Sequence, residues 1–349
     1  MKKLVLCTLF DSINCGTFLQ AYSLKKFFED KGFDVYFLSL KGNAYDVYES
    51  TKNVSKQHLS FKEFIIKFIR KVKLKLVFKK SCSFFKTINL FELNNDSKIK
   101  YVVIGSDELW NVRNNSFKHY KEYFGYNFCD KTVIAYAPSV NDTTITDLKK
   151  MYGVVDFSNF DKLSCRDKKT MKLLEKAGFS DVVEVLDPTM IVDGFDDIIE
   201  PIKLNKYIVV YGHSFTETQK KAIMNFAKNH NLKTVSITKY FSWCDKNIVA
   251  SPGQFLSYIK NADYVITSTF HGTVFSILFK KNFVVYLNNG SKISDLLEKF
   301  ELNDRIGDNR EIEAVISEKI DYLKLDELKE YFKNISINYL DASLNDEYI

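Results

Sequence analysis

Short β-like apolar runs and helical runs alternate along this chain, and few folds accommodate that pattern. Residues 4–10 form an apolar run suited to a strand. Residues 17–31 place Leu19, Ala21, Tyr22, Leu24, Phe27 and Phe28 at helical spacing, and Gly32 marks a stop. Further strands are expected at residues 35–40, 101–104, 133–137, 163–166 and 182–186, with a helix at 168–177. The pattern then restarts with strands at 207–211, 234–237, 264–267 and 283–287 and helices at 216–229, 254–260 and 273–279. Alternation of this kind predicts an α/β fold with parallel sheets and helices on both faces.

With 349 residues the chain exceeds one ordinary core and suits two domains. Acidic and polar residues with Pro201 interrupt the pattern between Asp193 and Leu204. We therefore expect a first domain over residues 1–195, a second over 196–324, and a helical tail over 325–349 that packs back on the first domain. The net charge of +6 suits an anionic substrate or surface and does not single out a nucleic acid. Six scattered cysteines, with no C-x-x-C pair and no zinc spacing, predict free thiols, a cytoplasmic location and no metal. The opening residues read as a buried strand rather than a leader, because Asp11 interrupts the apolar run.

Residues 61–86 stand apart. They are rich in Lys, carry Phe and Ile at helical spacing, and contain Glu63 as their only acid. One reading is a basic amphipathic helix in peripheral contact with an anionic membrane surface. The reading we favour from sequence is a solvated helix over the first domain's sheet, since the basic positions are not confined to one face.

In open parallel sheets, ligands bind beyond the C-terminal ends of strands. Three polar clusters fall there. Asn14, Cys15 and Gly16 follow the first strand; Ser106, Asp107, Glu108, Trp110 and Asn111 follow the strand at 101; His271, Gly272 and Thr273 follow the strand at 264. A histidine at a helix start combines proton transfer near neutral pH with N–H groups that favour an anion. Asp107 can orient or deprotonate a hydroxyl, with a local turn cap as the competing role. Trp110 can stack on a sugar or fill the core. Arg166 can clamp a carboxylate or phosphate, or pair with Asp167 or Asp187; Arg305 offers a second anion contact, or a surface ion pair. Dinucleotide and phosphate-loop glycine motifs are missing from the sequence, which argues against a nicotinamide enzyme or a nucleotide hydrolase.

These residues carry a resemblance. The segments NCGTFLQAYSL at 14–24, GSDELWN at 105–111, SCRD at 164–167, LDPT at 186–189, SPGQFL at 251–256, STFHGTVFS at 268–276 and LNDR at 302–305 together resemble the polysaccharide pyruvyl transferase family. The likeness runs from near residue 1 to about Arg305. It departs at Glu108, where the family usually has Gln, and at Ser268-Thr269, where it often has Asp-Ser. It departs also at Ala137-Pro138-Ser139-Val140, usually Ala-Ser-Phe-Gly, and at Asp167, usually Glu.

The resemblance implies two Rossmann-like domains in a glycosyltransferase-B-like arrangement with an interdomain cleft. It implies transfer of a pyruvyl group from phosphoenolpyruvate to a sugar or lipid-linked glycan, often as a ketal, with no cofactor. On that basis His271 and Asp107 are the expected catalytic residues. Arg166, Gly272, Thr273 and Arg305 are expected to bind the donor, and Asn14, Gly16, Ser106, Trp110 and Asn111 the acceptor. The rival expectations are a nucleotide-sugar-dependent glycosyltransferase and a non-catalytic scaffold for glycan assembly.

Overall fold

Both halves of the chain are built on five parallel strands arranged in the same order. The computed structural model describes residues 2–40, 61–115, 118–152, 156–288 and 291–344. One compact unit is drawn from Met1–Gln57, Cys82–Asp193 and Glu330–Ile349, the other from His58–Ser81 and Gly194–Lys329.

The first half runs β1 (Lys2–Cys7), α1 (Cys15–Asp30), β2 (Phe33–Leu38), α2 (Phe61–Cys82), β3 (Thr87–Ile88), α3 (Leu90–Asn95) and β4 (Ile99–Gly105). It continues with β5 (Thr132–Tyr136), α4 (Ile145–Tyr152), β6 (Leu163–Cys165), α5 (Lys168–Lys176) and β7 (Val182–Glu184). The first unit's sheet has the order β3-β2-β1-β4-β5, and β6 and β7 pair separately. All its pairings are parallel, with Leu4 opposite both Val35 and Tyr101. Leu4, Val5 and Leu6 are fully buried, which is why the strand reads as a continuous apolar run and not an alternating one. β1 stops at Cys7, short of the expected Phe10. Beyond it the buried Gln20 amide donates to Thr8 Oγ1 and the Leu9 carbonyl, which draws the chain into a loop. β5 stops at Tyr136 because Ala137 turns to a left-handed φ of 57°.

The second half runs β8 (Tyr207–Tyr211), α6 (Glu217–Asn229), β9 (Lys233–Ile237), β10 (Lys246–Ile248), α7 (Pro252–Lys260) and β11 (Tyr264–Thr267). It continues with α8 (Phe270–Leu278), β12 (Phe283–Val285), α9 (Ser291–Lys299), α10 (Ile312–Ser317) and α11 (Tyr322–Leu344). The second sheet is ordered β10-β9-β8-β11-β12, again all parallel. Ile208, Val210, Ile223, Ile266, Val284 and Val315 lie at 0% exposure in its core. Counted from its own first strand, each sheet has the order 3-2-1-4-5, the doubly wound order of Rossmann-like folds.

Two long helices depart from a simple division of the chain. α2 groups through residue 81 with the second unit, not over the first domain's sheet as sequence suggested. Arg70 explains this, since its guanidinium donates to the carbonyls of Asn247 at 2.6 Å and Ile248 at 3.1 Å, in and at the end of β10. α11 begins in the second unit and ends in the first. There Tyr339 donates to the Ala135 carbonyl at 2.7 Å, Leu186 N–H donates to Ser336 Oγ at 2.8 Å, and Tyr101 donates to the Leu344 carbonyl at 2.7 Å. The last five residues of the tail, 345–349, lie outside the described residues.

Candidate functional site

In each sheet the strand order reverses between the first and fourth strands, the point beyond which open α/β sheets bind their ligands. In the first unit the two loops lead from β1 into α1 and from β4 to Asp107. Asn14 caps α1, with Oδ1 accepting from Gly16 N–H at 2.8 Å and Thr17 N–H at 3.3 Å. Thr17 then donates to Asp107 Oδ2 at 2.7 Å, bridging the point of reversal. Ser106 and Asp107 adopt φ of 43° and 63°. Two consecutive left-handed residues without glycine cost about 1–2 kcal/mol each, and such strain concentrates where a side chain must be aimed. The bends are held by Ser106 N–H donating to Tyr136 O and Ser139 N–H donating to Asp107 O, each at 2.9 Å.

Beneath Asp107 lies Arg166, at the end of β6. Its side chain is 1% exposed and pairs with Asp187 at 2.8 Å and more loosely with Asp107 at 3.6 Å. Burial disfavours the guanidinium charge, but Asp187, Asp107, Asp167 and Glu108 together outweigh that and raise its pKa. Asp167 also caps α5 through Thr170 N–H. One cation thus faces four carboxylates. The guanidinium is drawn inward, in the Asp187 pairing that the sequence offered beside an anion clamp. It fits a positioning role, holding Asp107 and Asp187.

The other expected residues of this cluster are largely structural. Trp110 is fully buried, donates Nε1–H to Tyr123 O at 2.7 Å, and packs on Phe124, Phe157 and Phe160. It has no face for a sugar, which corrects the expected stacking role. Asn111 is 5% exposed and spends its side chain on Glu108 and Thr143. Ser106 is fully buried and donates to Asp187 at 3.4 Å, and Gly16 is buried under the Asn14 cap. Asp107 keeps 17% of its side chain exposed, so its carboxylate reaches solvent; the neighbouring Glu108 is half-buried and occupied by asparagine amides. Sequence singled out Asp107 but gave no role to Thr17, which lies within the 14–24 segment and acquires its partner only when β1 and β4 lie side by side.

In the second unit the loops leave β8 and β11. Thr267 donates to Tyr211 O at 2.7 Å and Ser268 N–H to the same carbonyl at 3.1 Å, tying the two strand ends together. A Cβ on Gly212 would come within 2.5 Å of Ser268 Oγ, so this approach needs glycine. α8 begins at Phe270, three residues earlier than the sequence pattern suggested, because Thr269 caps it through Gly272 N–H at 3.0 Å. His271 therefore sits inside the first helical turn and is 9% exposed. An exposed histidine that sequence reading passed over, His213, follows β8 on the facing loop. Its position two residues beyond a strand, after Gly212, was the available signal.

Of three expected donor contacts in this unit, Thr273 and Arg305 have buried side chains and Gly272 carries a packing role. Gly272 serves helix–strand packing, since a Cβ there would lie 2.1 Å from Thr267 Oγ1. Thr273 is fully buried and its hydroxyl donates to Thr269 O at 3.0 Å. Arg305 is fully buried in an internal network with Asp304, Glu318 and Asn282. Asn282 precedes β12, so that guanidinium lies at the N-terminal edge of the sheet, opposite the edge that carries His271. Among the described residues there is no cluster of His, Cys, Asp or Glu suited to a metal ion.

A family model described as polysaccharide pyruvyl transferase matches residues 14–290. A search of curated proteins finds no match. Among solved structures, the glycotransferase of kitacinnamycin aligns at 9% identity over 98% of this chain and 97% of its own, with a TM-score of 0.50. Anabaena HepE, solved with UDP and glucose, aligns at 9% identity over 97% of this chain and 95% of its own, also at 0.50. A UDP-GlcNAc 2-epimerase from Neisseria meningitidis aligns at 11% identity over 96% and 94%, at 0.48. At such identities the likeness of the first two is one of fold.

Proposed function

Since the chain belongs to the polysaccharide pyruvyl transferase family, an enzyme family, we propose that it moves a pyruvyl group from phosphoenolpyruvate to a sugar of a cell-surface glycan precursor, forming a ketal. The observation that carries this reading is the family match together with His271 in the first turn of α8, at the strand reversal of the second sheet.

The reaction has a definite proton balance. The enol carbon of the donor gains a proton and becomes a methyl group. Two acceptor hydroxyls lose theirs as two C–O bonds form, and the phosphate leaves with the remaining proton. In this proposal the second unit handles the donor. The N-terminal turn of α8 offers N–H groups and a partial positive charge to an anion. His213 after β8 and Lys239 after β9 stand at the same sheet edge and add basic character. His271 transfers the proton to the enol carbon. The first unit handles the acceptor: Asp107, held by Thr17 and Arg166, accepts a hydroxyl proton. We place the reaction in the cytoplasm, where the organic donor is available.

Mass spectrometry of sugars incubated with protein and phosphoenolpyruvate tests the reaction, with an expected gain of one pyruvyl ketal and release of phosphate. His271→Asn keeps a polar group in the turn but removes acid–base chemistry, and should slow transfer by about 10²–10⁴-fold with unchanged melting temperature. Near-normal turnover in that variant overturns the assignment of His271. Thermal stabilisation by UDP and not by phosphoenolpyruvate, at saturating concentrations, would favour a nucleotide-sugar glycosyltransferase instead.

A further inference from the structure

Helix α2 has two apolar faces, and only one is used. On the inner face Phe78 is fully buried, Leu74 is 6% exposed, and Arg70 is fixed to backbone carbonyls around β9 and β10. On the outer face Ile65, Phe68, Ile69, Val72 and Leu76 are exposed by 39–63%. At 3.6 residues per turn these five fall within about 100° of arc, a continuous stripe along three turns. They are five of the eleven large apolar side chains exposed in the described residues, so the patch is concentrated on one element.

The same helical geometry sets Lys71 and Lys75 along one border of the stripe and Lys73 and Lys80 along the other. Residues 65–82 contain no acid. Read from sequence the lysines look scattered, because the helix has a buried face as well as an exposed one. Once the buried face is set aside, these four fringe the apolar stripe on both sides, while Lys79 continues its line one turn past Leu76 and Lys67 lies on the far side of the helix. A protein partner with a complementary groove would need acidic rims matched to two rows of lysines. A bilayer with anionic headgroups offers that charge everywhere, with an apolar layer just beneath it. No helix among the described residues is long and apolar enough to cross a membrane, so the stripe suits a helix lying in the interface plane.

We propose that α2 seats this protein on an anionic lipid surface, with Phe68 and Leu76 inserted among the headgroups and the flanking lysines over them. The inference rests on exposure and charge alone and holds whatever reaction the protein carries out.

Flotation of the full chain with vesicles tests it. Binding is expected to vesicles containing phosphatidylglycerol, with little to pure phosphatidylcholine. Phe68→Ser with Leu76→Ser should weaken it by about tenfold or more. Lys73→Glu with Lys75→Glu should do the same, and salt near 0.5 M should also weaken it. Melting temperatures should change little, since Phe68, Val72, Lys73 and Leu76 are exposed and Lys75 is half-buried. Absence of flotation with anionic vesicles, or equal flotation of the apolar variant, overturns the proposal. So does a dimer in light scattering that Phe68→Ser with Leu76→Ser converts to monomer without any vesicle binding, which would assign the stripe to a second copy.

Discussion

Arg166 is a buried cation whose pairing with two carboxylates gives it an anchoring part in the first unit. Its guanidinium lies between Asp187, itself fully buried, and Asp107, which still meets solvent. Removing one partner of such a pair leaves an uncompensated charge and costs about 3–5 kcal/mol. Arg166→Leu should therefore lower the melting temperature by about 10 °C, read by calorimetry. An unchanged melting temperature with lost phosphoenolpyruvate affinity would instead support the donor-binding role. Glu108 makes a related point. A carboxylate only accepts hydrogen bonds, and Asn111, Asn114 and Asn141 all present amide donors to Glu108 Oε2. The departure from the family's usual Gln therefore comes with three donors that suit an acid.

At the scale of elements, the junction of β11 and α8 is set by a glycine and three hydroxyls. Gly272→Ala would place a Cβ against Thr267 Oγ1 and Thr269 Oγ1, with the Thr267 hydroxyl held by the Tyr211 carbonyl and the Thr267 carbonyl by Tyr286 N–H. The expected cost is about 1–3 kcal/mol from overpacking, seen as a lowered urea midpoint with unchanged slope. Retention of full stability would mean that α8 shifts freely, and would weaken the geometry assigned to His271. The strands and helices were legible in sequence because parallel strands buried on both faces read as apolar runs, as at residues 4–7 and 207–211. The site was legible only in part. Polar residues after strands were visible, but Ser106, Trp110, Asn111 and Arg305 turn inward, and direction at a strand end is decided by left-handed turns such as that at Asp107. Sequence carries no periodicity that reports those.

At the scale of the whole molecule, the first unit is closed by residues that come late in the chain. Leu340 is fully buried, and Ser336, Tyr339 and Leu344 engage backbone or side-chain groups of β4, β5 and the segment after β7. A chain ending at Lys329 should lose the first unit's cooperative unfolding transition while keeping that of the second. Circular dichroism during urea titration would show one transition where the full chain shows more or a larger one. Preserved stability of the first unit in the shortened chain would contradict this.

A ribosome makes the chain in one direction, and the first unit is not finished when the second is. Residues 194–329, which supply the whole second sheet, leave the exit tunnel before the segment from 330 onward that completes the first. At about 5–20 residues per second, the β1–β5 sheet waits many seconds with the Ala135 carbonyl and the Leu186 N–H lacking their partners from α11. The half of the protein that is translated first is therefore expected to mature last, and a nascent chain stalled before residue 330 should present its opening half, not its closing half, to chaperones and proteases.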